Sequence, residues 1–396
     1  MTLPRTLNQT MLSLILFAVF LAACQPAAAM PPVAVEPSLP DIARDPTATA
    51  TLPPTLPPTP QPTETPAPTA TATRTPPTLP EQFNTDLLRP FDLPVTYIEN
   101  SCQYLRAKWD PSNAEPGTVI MPIMFHGITK RDTNPAATGM YHDMSAVEFH
   151  YLMEQLHEHG FEAITMQQAA DFLYDNAKIP KLSALLIVDD RKNRQSFDDT
   201  FYEYYEKWGW PVINGYITVD ESPRLWRENA ELAAEGWVDH QAHGYIHNIN
   251  ISEGSKEDFI RQELGKPFEM MEKYFGKKPI AYIWPGGGFT PRAVEIMRDY
   301  DYLLGFTINP RGPVMYNWVP QAEGFESNRP SFLPEIPSGD PLLTLPRYWS
   351  PSAFKYIPDV REISEQASLY AQSVRATELD YYDIVCAPLY GEIPEP

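Results

Sequence analysis

The amino-acid sequence predicts an α/β fold of parallel strands, either a (β/α) barrel or a doubly wound sheet, on three observations. Between residues 119 and 308 short apolar runs alternate with helical patterns about seven times, and such a series demands parallel strands joined by helical crossovers. There is no internal repeat, and neither G-x-G-x-x-G nor G-x-x-x-x-G-K-[ST] occurs, which removes the usual reasons to prefer a nucleotide-binding sheet. Several apolar runs end in His or Asp, and in barrels and open sheets alike ligands meet the carboxyl ends of the strands.

Each element has its own signal. The run 119–125 is apolar throughout and leads into His126-Gly127. Ser145 and Glu148 have the S-x-x-E spacing of a capping box, and Val147, Phe149, Leu152 and Leu156 give the apolar stripe of a helix that stops at Gly160. Residues 161–165 read as a strand, 167–177 as a helix, 184–188 as a buried strand, 197–208 as a helix and 212–218 as a strand. The series continues with a helix over 224–234, a strand over 237–241, a long helix over 256–275 and a strand over 280–284. Thr290-Pro291 is a good N-cap and first-turn pair for a helix through Arg298, and 303–308 is the last strand of the series.

The first 85 residues are of another kind. Residues 11–23 form a 13-residue apolar run after a single Arg5, short for a membrane span and typical of an export signal. Leu21-Ala22-Ala23-Cys24 closes it and resembles the bacterial lipobox, which implies cleavage before Cys24 and lipidation of that residue; the alternative is cleavage after a neighbouring Ala. Residues 41–80 hold 12 Pro and 12 Thr, too few large apolar groups for a core. The expected organisation is therefore a lipoprotein signal peptide over 1–23, a disordered Pro/Thr-rich linker over 24–85 and a globular domain over 86–396. Such a linker is an extended, semi-rigid tether holding the domain off a membrane. The chain is expected to be exported and anchored to a bacterial cell membrane or surface, as a monomer.

Charge narrows the partners. The chain carries 30 Lys and Arg against 51 Asp and Glu, a formal net charge of −21, nearly all of it on the globular part. A surface so acidic is repelled by phosphate backbones, so no nucleic-acid partner is expected. Of the three cysteines, Cys102 and Cys386 lie near the two ends of the globular part; in an oxidising compartment they pair, and otherwise they are two reduced thiols.

The candidate site residues follow the apolar runs. Asp189-Asp190 comes straight after Leu185-Leu186-Ile187-Val188, and two carboxylates there are costly unless something such as a divalent cation compensates them. One can ligate the metal while the other takes a proton from water. His243 and His247 are spaced i, i+4, which on one helical turn brings both imidazoles to one side. Chance supplies about 0.16 such pairs in a chain with this histidine content. Two His and one carboxylate leave the open position usual for catalytic zinc. His126 ends the first strand, and Tyr282 and Trp284 are the aromatic candidates for substrate contact.

The order of these segments resembles the polysaccharide deacetylase family, the NodB homology domain of carbohydrate esterase family 4, over about 117–348. Ile123-Met124-Phe125-His126-Gly127-Ile128 is similar to the family's opening strand, Val188-Asp189-Asp190 to its T-F-D-D motif, and His243-Gly244-Tyr245-Ile246-His247 to H-[ST]-x-x-H. Ala281 to Gly286 is similar to F-A-Y-P-Y-G, and Leu345-Pro346-Arg347-Tyr348 resembles the L-P-R-I ending of an exported, lipoprotein-like subgroup. The resemblance implies a deformed (β/α)7 barrel. It also implies a metal-dependent hydrolase that removes acetyl groups from the N-acetylated sugars of a polysaccharide or cell-wall glycan, with Asp189 as general base. Asp190, His243 and His247 would hold a divalent metal, zinc by preference.

The departures are specific. Arg191 stands where the family has Gly, Gly244 replaces a Ser or Thr, and the third motif offers no Arg to orient the base. No His follows His247, so the late motif that supplies a general acid has no match; His126, His240 or a Tyr such as Tyr282 is left to protonate the leaving amine, with His126 the best placed. A NodB-like surface protein that binds carbohydrate without turning it over is the alternative reading.

Overall fold

The computed structural model describes residues 74–129, 143–190, 192–219, 222–246 and 249–395. The expected signal peptide, Cys24 and most of the expected linker lie outside the described residues, as do Arg191 and His247. Among the described residues no helix is long and apolar enough to cross a membrane.

Seven strands form the framework: β1 (Val119–Phe125), β2 (Leu182–Val188), β3 (Val212–Tyr216), β4 (Val238–Ala242), β5 (Ala281–Ile283), β6 (Leu304–Phe306) and β7 (Tyr348–Trp349). They pair in parallel in the spatial order β6-β5-β4-β3-β2-β1-β7. All seven residues of β1 and six of seven in β2 are buried, as expected of parallel strands covered on both faces. The ring closes just before β7. Leu345 bridges Phe306 in parallel, donating to the Gly305 carbonyl at 2.7 Å and accepting from the Thr307 amide at 2.8 Å, and three residues later the same segment pairs Tyr348 with Ile123. The result is a deformed seven-stranded (β/α) barrel.

The count of seven is right, but its membership differs from the sequence reading. Within 161–165 only Glu162–Ala163 is strand, and it pairs with Ser183 and Ala184 at the start of β2, while β3 pairs with Ile187 and Val188 at its end. The seventh ring strand comes instead from 345–349, which the alternation did not reveal. The helix expected over 197–208 is two helices, Arg194–Asp198 and Tyr202–Trp208, joined by a tight turn. The capping box at Ser145 and Glu148 forms as read, and helix Ala146–Glu158 buries Phe149, Leu152, Met153 and Leu156.

A second set of elements packs against the barrel. Strand Asp92–Val95 pairs antiparallel with Val319–Ala322, and helix Ser101–Trp109 lies nearby in the chain. The 25-residue helix Ile357–Tyr381 docks where the chain enters β1: the Ser364 hydroxyl donates to the Gly117 carbonyl at 2.6 Å. Gly117 has φ +87°, and a Cβ there would come within 2.5 Å of the Ser364 carbonyl oxygen, so both conformation and space demand glycine. Cys102 and Cys386 form a disulfide with Cα atoms 5.3 Å apart, which settles the alternatives left open for them. Leu105, Tyr382 and Cys386 make a small separate core around it.

Residues 74–85, assigned to the linker on composition, are part of the folded unit. They are extended yet attached: Phe83 packs on Trp318 and Tyr370 with ring centroids 5.9 and 5.7 Å away, and its carbonyl accepts from Trp318 Nε1 at 2.9 Å. Phe83 is the kind of aromatic group the Pro/Thr tract lacks, and together with Leu79 at the tract's end it lets the chain dock.

Candidate active site

Because all seven strands run the same way, the residues following them share one end of the barrel, its mouth. Asp189 follows β2, and its amide donates to the Phe125 carbonyl at 2.8 Å, which extends the β1–β2 ladder by one step. Its side chain is 2% exposed. Arg347, wholly buried just before β7, reaches across the mouth: Nε donates to the Thr307 carbonyl at 2.7 Å and one terminal nitrogen donates to Asp189 Oδ1 at 2.5 Å. The other oxygen, Oδ2, lies 3.8 Å from Nε2 of His126, the residue after β1. Burial alone would raise the Asp189 pKa, but the positive charges around it, Arg347 foremost, reverse this and hold it at about 2. Asp189 is therefore a carboxylate at neutral pH. Burial pushes the His126 imidazole below its ordinary value despite the opposing pull of Asp189 and Asp190.

Asp190 is one of three non-glycine residues with positive φ among those described, at +71°. Such a conformation is costly for most residues, is tolerated best by Asn and Asp, and gathers at functional sites. Asp190 Oδ1 lies 3.8 Å from Nε2 of His243, which follows β4 and is 3% exposed. His243 Nδ1 donates to the Ile283 carbonyl at 2.8 Å; since a carbonyl only accepts, the proton is on Nδ1 and Nε2 presents a lone pair toward Asp190. A carboxylate oxygen and an imidazole lone pair facing each other without a hydrogen bond fit a shared cation. Two donors each about 2 Å from one ion sit up to about 4 Å apart. Among the described residues no group of three metal-ligating side chains comes together, and His247, the third expected ligand, lies outside them.

Residues 243–246 are not helical, which corrects the expectation of a helical turn across the two histidines. Gly244 has φ +78°, and the amides of Tyr245 and Ile246 donate to the buried carboxylate of Glu263 at 2.8 and 3.1 Å. The substrate-contact role expected of Trp284 and Tyr282 is also corrected. Both side chains are fully buried, the Trp284 indole N–H is spent on the Leu343 carbonyl at 2.9 Å, and neither ring has a face to offer. The aromatic at the mouth is Trp349 at the end of β7, half-buried and edge-on to Phe332. His240, named as an alternative acid, is fully buried within β4, and burial pushes its pKa down to about 3. A groove of about 580 Å³ opens beside His126 and is lined among others by Gly127, His150, Lys192, Gln195 and Thr200.

Sequence reasoning found His126, Asp189, Asp190 and His243, and the structure brings these four together. It missed Arg347 as the partner of Asp189, although Leu345-Pro346-Arg347-Tyr348 stood out as a motif. It also missed Glu263, for which a charged residue on the buried stripe of a helix is the available signal.

A deformed parallel barrel with a charge-held carboxylate, a second carboxylate and an imidazole gathered at its mouth defines the class, an α/β barrel whose polar groups sit at the carboxyl ends of its strands. The comparisons give a family likeness over part of the chain. Residues 177–305 match the polysaccharide deacetylase family model, a stretch that contains Asp189, Asp190, His243 and His247 and leaves out β1 and β7, so the likeness read from the motifs is borne out there. Solved structures with similar folds include a deacetylase of Streptococcus pyogenes in complex with acetate (18% identity, 62% of this chain and 99% of that one, TM-score 0.48). They also include IcaB from Ammonifex degensii (18%, 63% and 98%, 0.45) and a polysaccharide deacetylase from Bacillus cereus (19%, 61% and 69%, 0.44). No curated protein sequence matches the chain.

Proposed function

We propose that this protein is a metal-dependent deacetylase that hydrolyses the acetamide of N-acetylated sugars in a polysaccharide or cell-wall glycan, releasing acetate and an amino sugar. The observation that carries the reading is the buried, ionised Asp189, held by Arg347 beside the facing pair Asp190 and His243. Asp190, His243 and His247 would hold a divalent ion, for which the mixed oxygen and nitrogen donor set favours zinc. Such an ion supplies Lewis acidity for the acetamide carbonyl and its developing negative charge.

The chain's own residues do the rest. Asp189 takes a proton from the attacking water while Arg347 keeps the carboxylate oriented and charged. The water oxygen bonds to the acetyl carbon, the C–N bond breaks, and the sugar nitrogen leaves with the proton Asp189 took from the water. That proton is relayed through His126, whose Nε2 lies 3.8 Å from Asp189 Oδ2 and which is neutral and so able to accept and pass on a proton. Trp349 and the groove beside His126 offer an aromatic edge and polar walls to a chain of sugars. Cys24 would carry the lipid that anchors the exported protein, with the Pro/Thr tract as tether.

Acetate release from a panel of N-acetylated glycans, with chelator and with added zinc or cobalt, tests the reading. Metal-dependent release is expected, and His126→Ala should lower the rate constant about 10²–10⁴-fold with metal content unchanged. A glycan bound with measurable affinity but never deacetylated would replace the enzyme with a binding protein. Mass spectrometry of the mature chain should find an acylated Cys24 at its N-terminus; any other N-terminus refutes the anchor.

A further inference from the structure

Glu263 lies on helix Glu257–Phe275 with its side chain wholly inside the protein. A buried carboxylate without compensation is costly, and among the described residues no Lys, Arg or His forms an ion pair with it. Its hydrogen bonds go elsewhere. Oε2 accepts from the Tyr245 amide at 2.8 Å, and Oε1 and Oε2 accept from the Ile246 amide at 3.1 and 3.2 Å. Those are the two amides between Gly244 and His247, in a segment that has no helical ladder of its own to satisfy them. His243 is fixed independently, through Ile283.

Gly244 is the other half of the arrangement. A Cβ at that position would lie 2.7 Å from Glu263 Oε2 and 3.1 Å from the Pro285 ring, and the backbone there is left-handed. Any side chain at 244 would have to adopt this left-handed backbone and press its Cβ on the Glu263 carboxylate, so glycine at 244 lets Glu263 stay where it meets the two amides. We infer that Glu263 is a positioning residue: by accepting from the Tyr245 and Ile246 amides it holds the backbone that leads from His243, one proposed metal ligand, toward the other in the sequence, His247.

The inference rests on the reading of His243 and His247 as metal ligands, and its test separates the two. Zinc alone is titrated against a chelating dye for wild type, Glu263→Ala, Glu263→Gln, Gly244→Ser and the Glu263→Ala, Gly244→Ser pair, and amide exchange at Tyr245 and Ile246 is followed in each apo protein. Loss of an outer hydrogen-bonding partner typically weakens metal binding about 10–100-fold. Glu263→Ala should fall in that range and expose both amides, and Glu263→Gln, which keeps one acceptor oxygen, should lie between it and wild type. Gly244→Ser should cost several-fold less in the Glu263→Ala background than in wild type, because the clash is gone and the hydroxyl has room. A zinc affinity within threefold of wild type in a folded Glu263→Ala protein overturns the inference. If His243→Ala keeps its zinc, the ligand assignment fails instead, and the exchange data decide: amides still protected in Glu263→Ala, or in Glu263→Gln should the alanine variant not fold, refute the positioning role.

Discussion

The mouth of the barrel and its opposite end are held together by different physics. At the mouth the fixed points are polar and buried: the Arg347–Asp189 pair, the His243 contact to a backbone carbonyl, and the Glu263 carboxylate under two amides. At the other end they are apolar and covalent: Phe83 on Trp318 and Tyr370, the long helix against Gly117, and the Cys102–Cys386 disulfide. Buried charges are poor devices for stability but hold a geometry tightly, whereas apolar packing and cross-links stabilise without demanding much of direction. The molecule thus keeps its chemistry and its durability at different ends, and each can be attacked with little damage to the other.

The sharpest test of that division is Asp189→Asn. The amide still offers Arg347 an oxygen, so the fold should survive and bound zinc should persist, while acetate release falls about 10²–10⁴-fold. A variant that loses metal together with activity would show that base and ligand are not separate. Arg347→Ala comes next. It leaves a carboxylate buried without its main cation and should cost about 3–5 kcal/mol in denaturant unfolding. With that charge gone, burial pushes the Asp189 pKa upward, so the acid limb of the rate profile should move to higher pH; an unmoved limb would remove Asp189 as the base or Arg347 as its keeper. The mildest blow falls at the far end. Cys102→Ser, Cys386→Ser opens a link across 284 residues and should lower stability by about 2–5 kcal/mol, with acetate release per folded molecule unchanged. A fall in that rate would show the two ends to be coupled.

What could be read from the sequence follows the same division. His126, Asp189 and Asp190 were legible because each follows an apolar strand, where a polar residue stands out, and His243 because it is spaced i, i+4 from His247. Arg347 was not assigned, since its partner lies 158 residues away and no local pattern connects them. Helix Ile357–Tyr381 was missed because its buried stripe includes Ser364, Ala367 and Ala371, small groups that give little apolar periodicity against an otherwise polar chain. The break between Arg194–Asp198 and Tyr202–Trp208 escaped for the opposite reason, the aromatic residues on either side suggesting one continuous face. The linker boundary was set by composition alone, and Phe83 shows that a single well-placed aromatic outweighs composition.

The short seventh strand has a consequence in time as well as in space. Residues 345–349 are the piece that joins β6 to β1, and Arg347 sits in the middle of that seam. During synthesis the first six ring strands, with both aspartates and His243, leave the ribosome before it. Until the seam is laid in, the cylinder is open and Asp189 has no fixed cation beside it. A chain truncated before residue 345 would keep every residue of the matched family segment yet leave Asp189 without Arg347, so the final stitch of the fold also completes the candidate site.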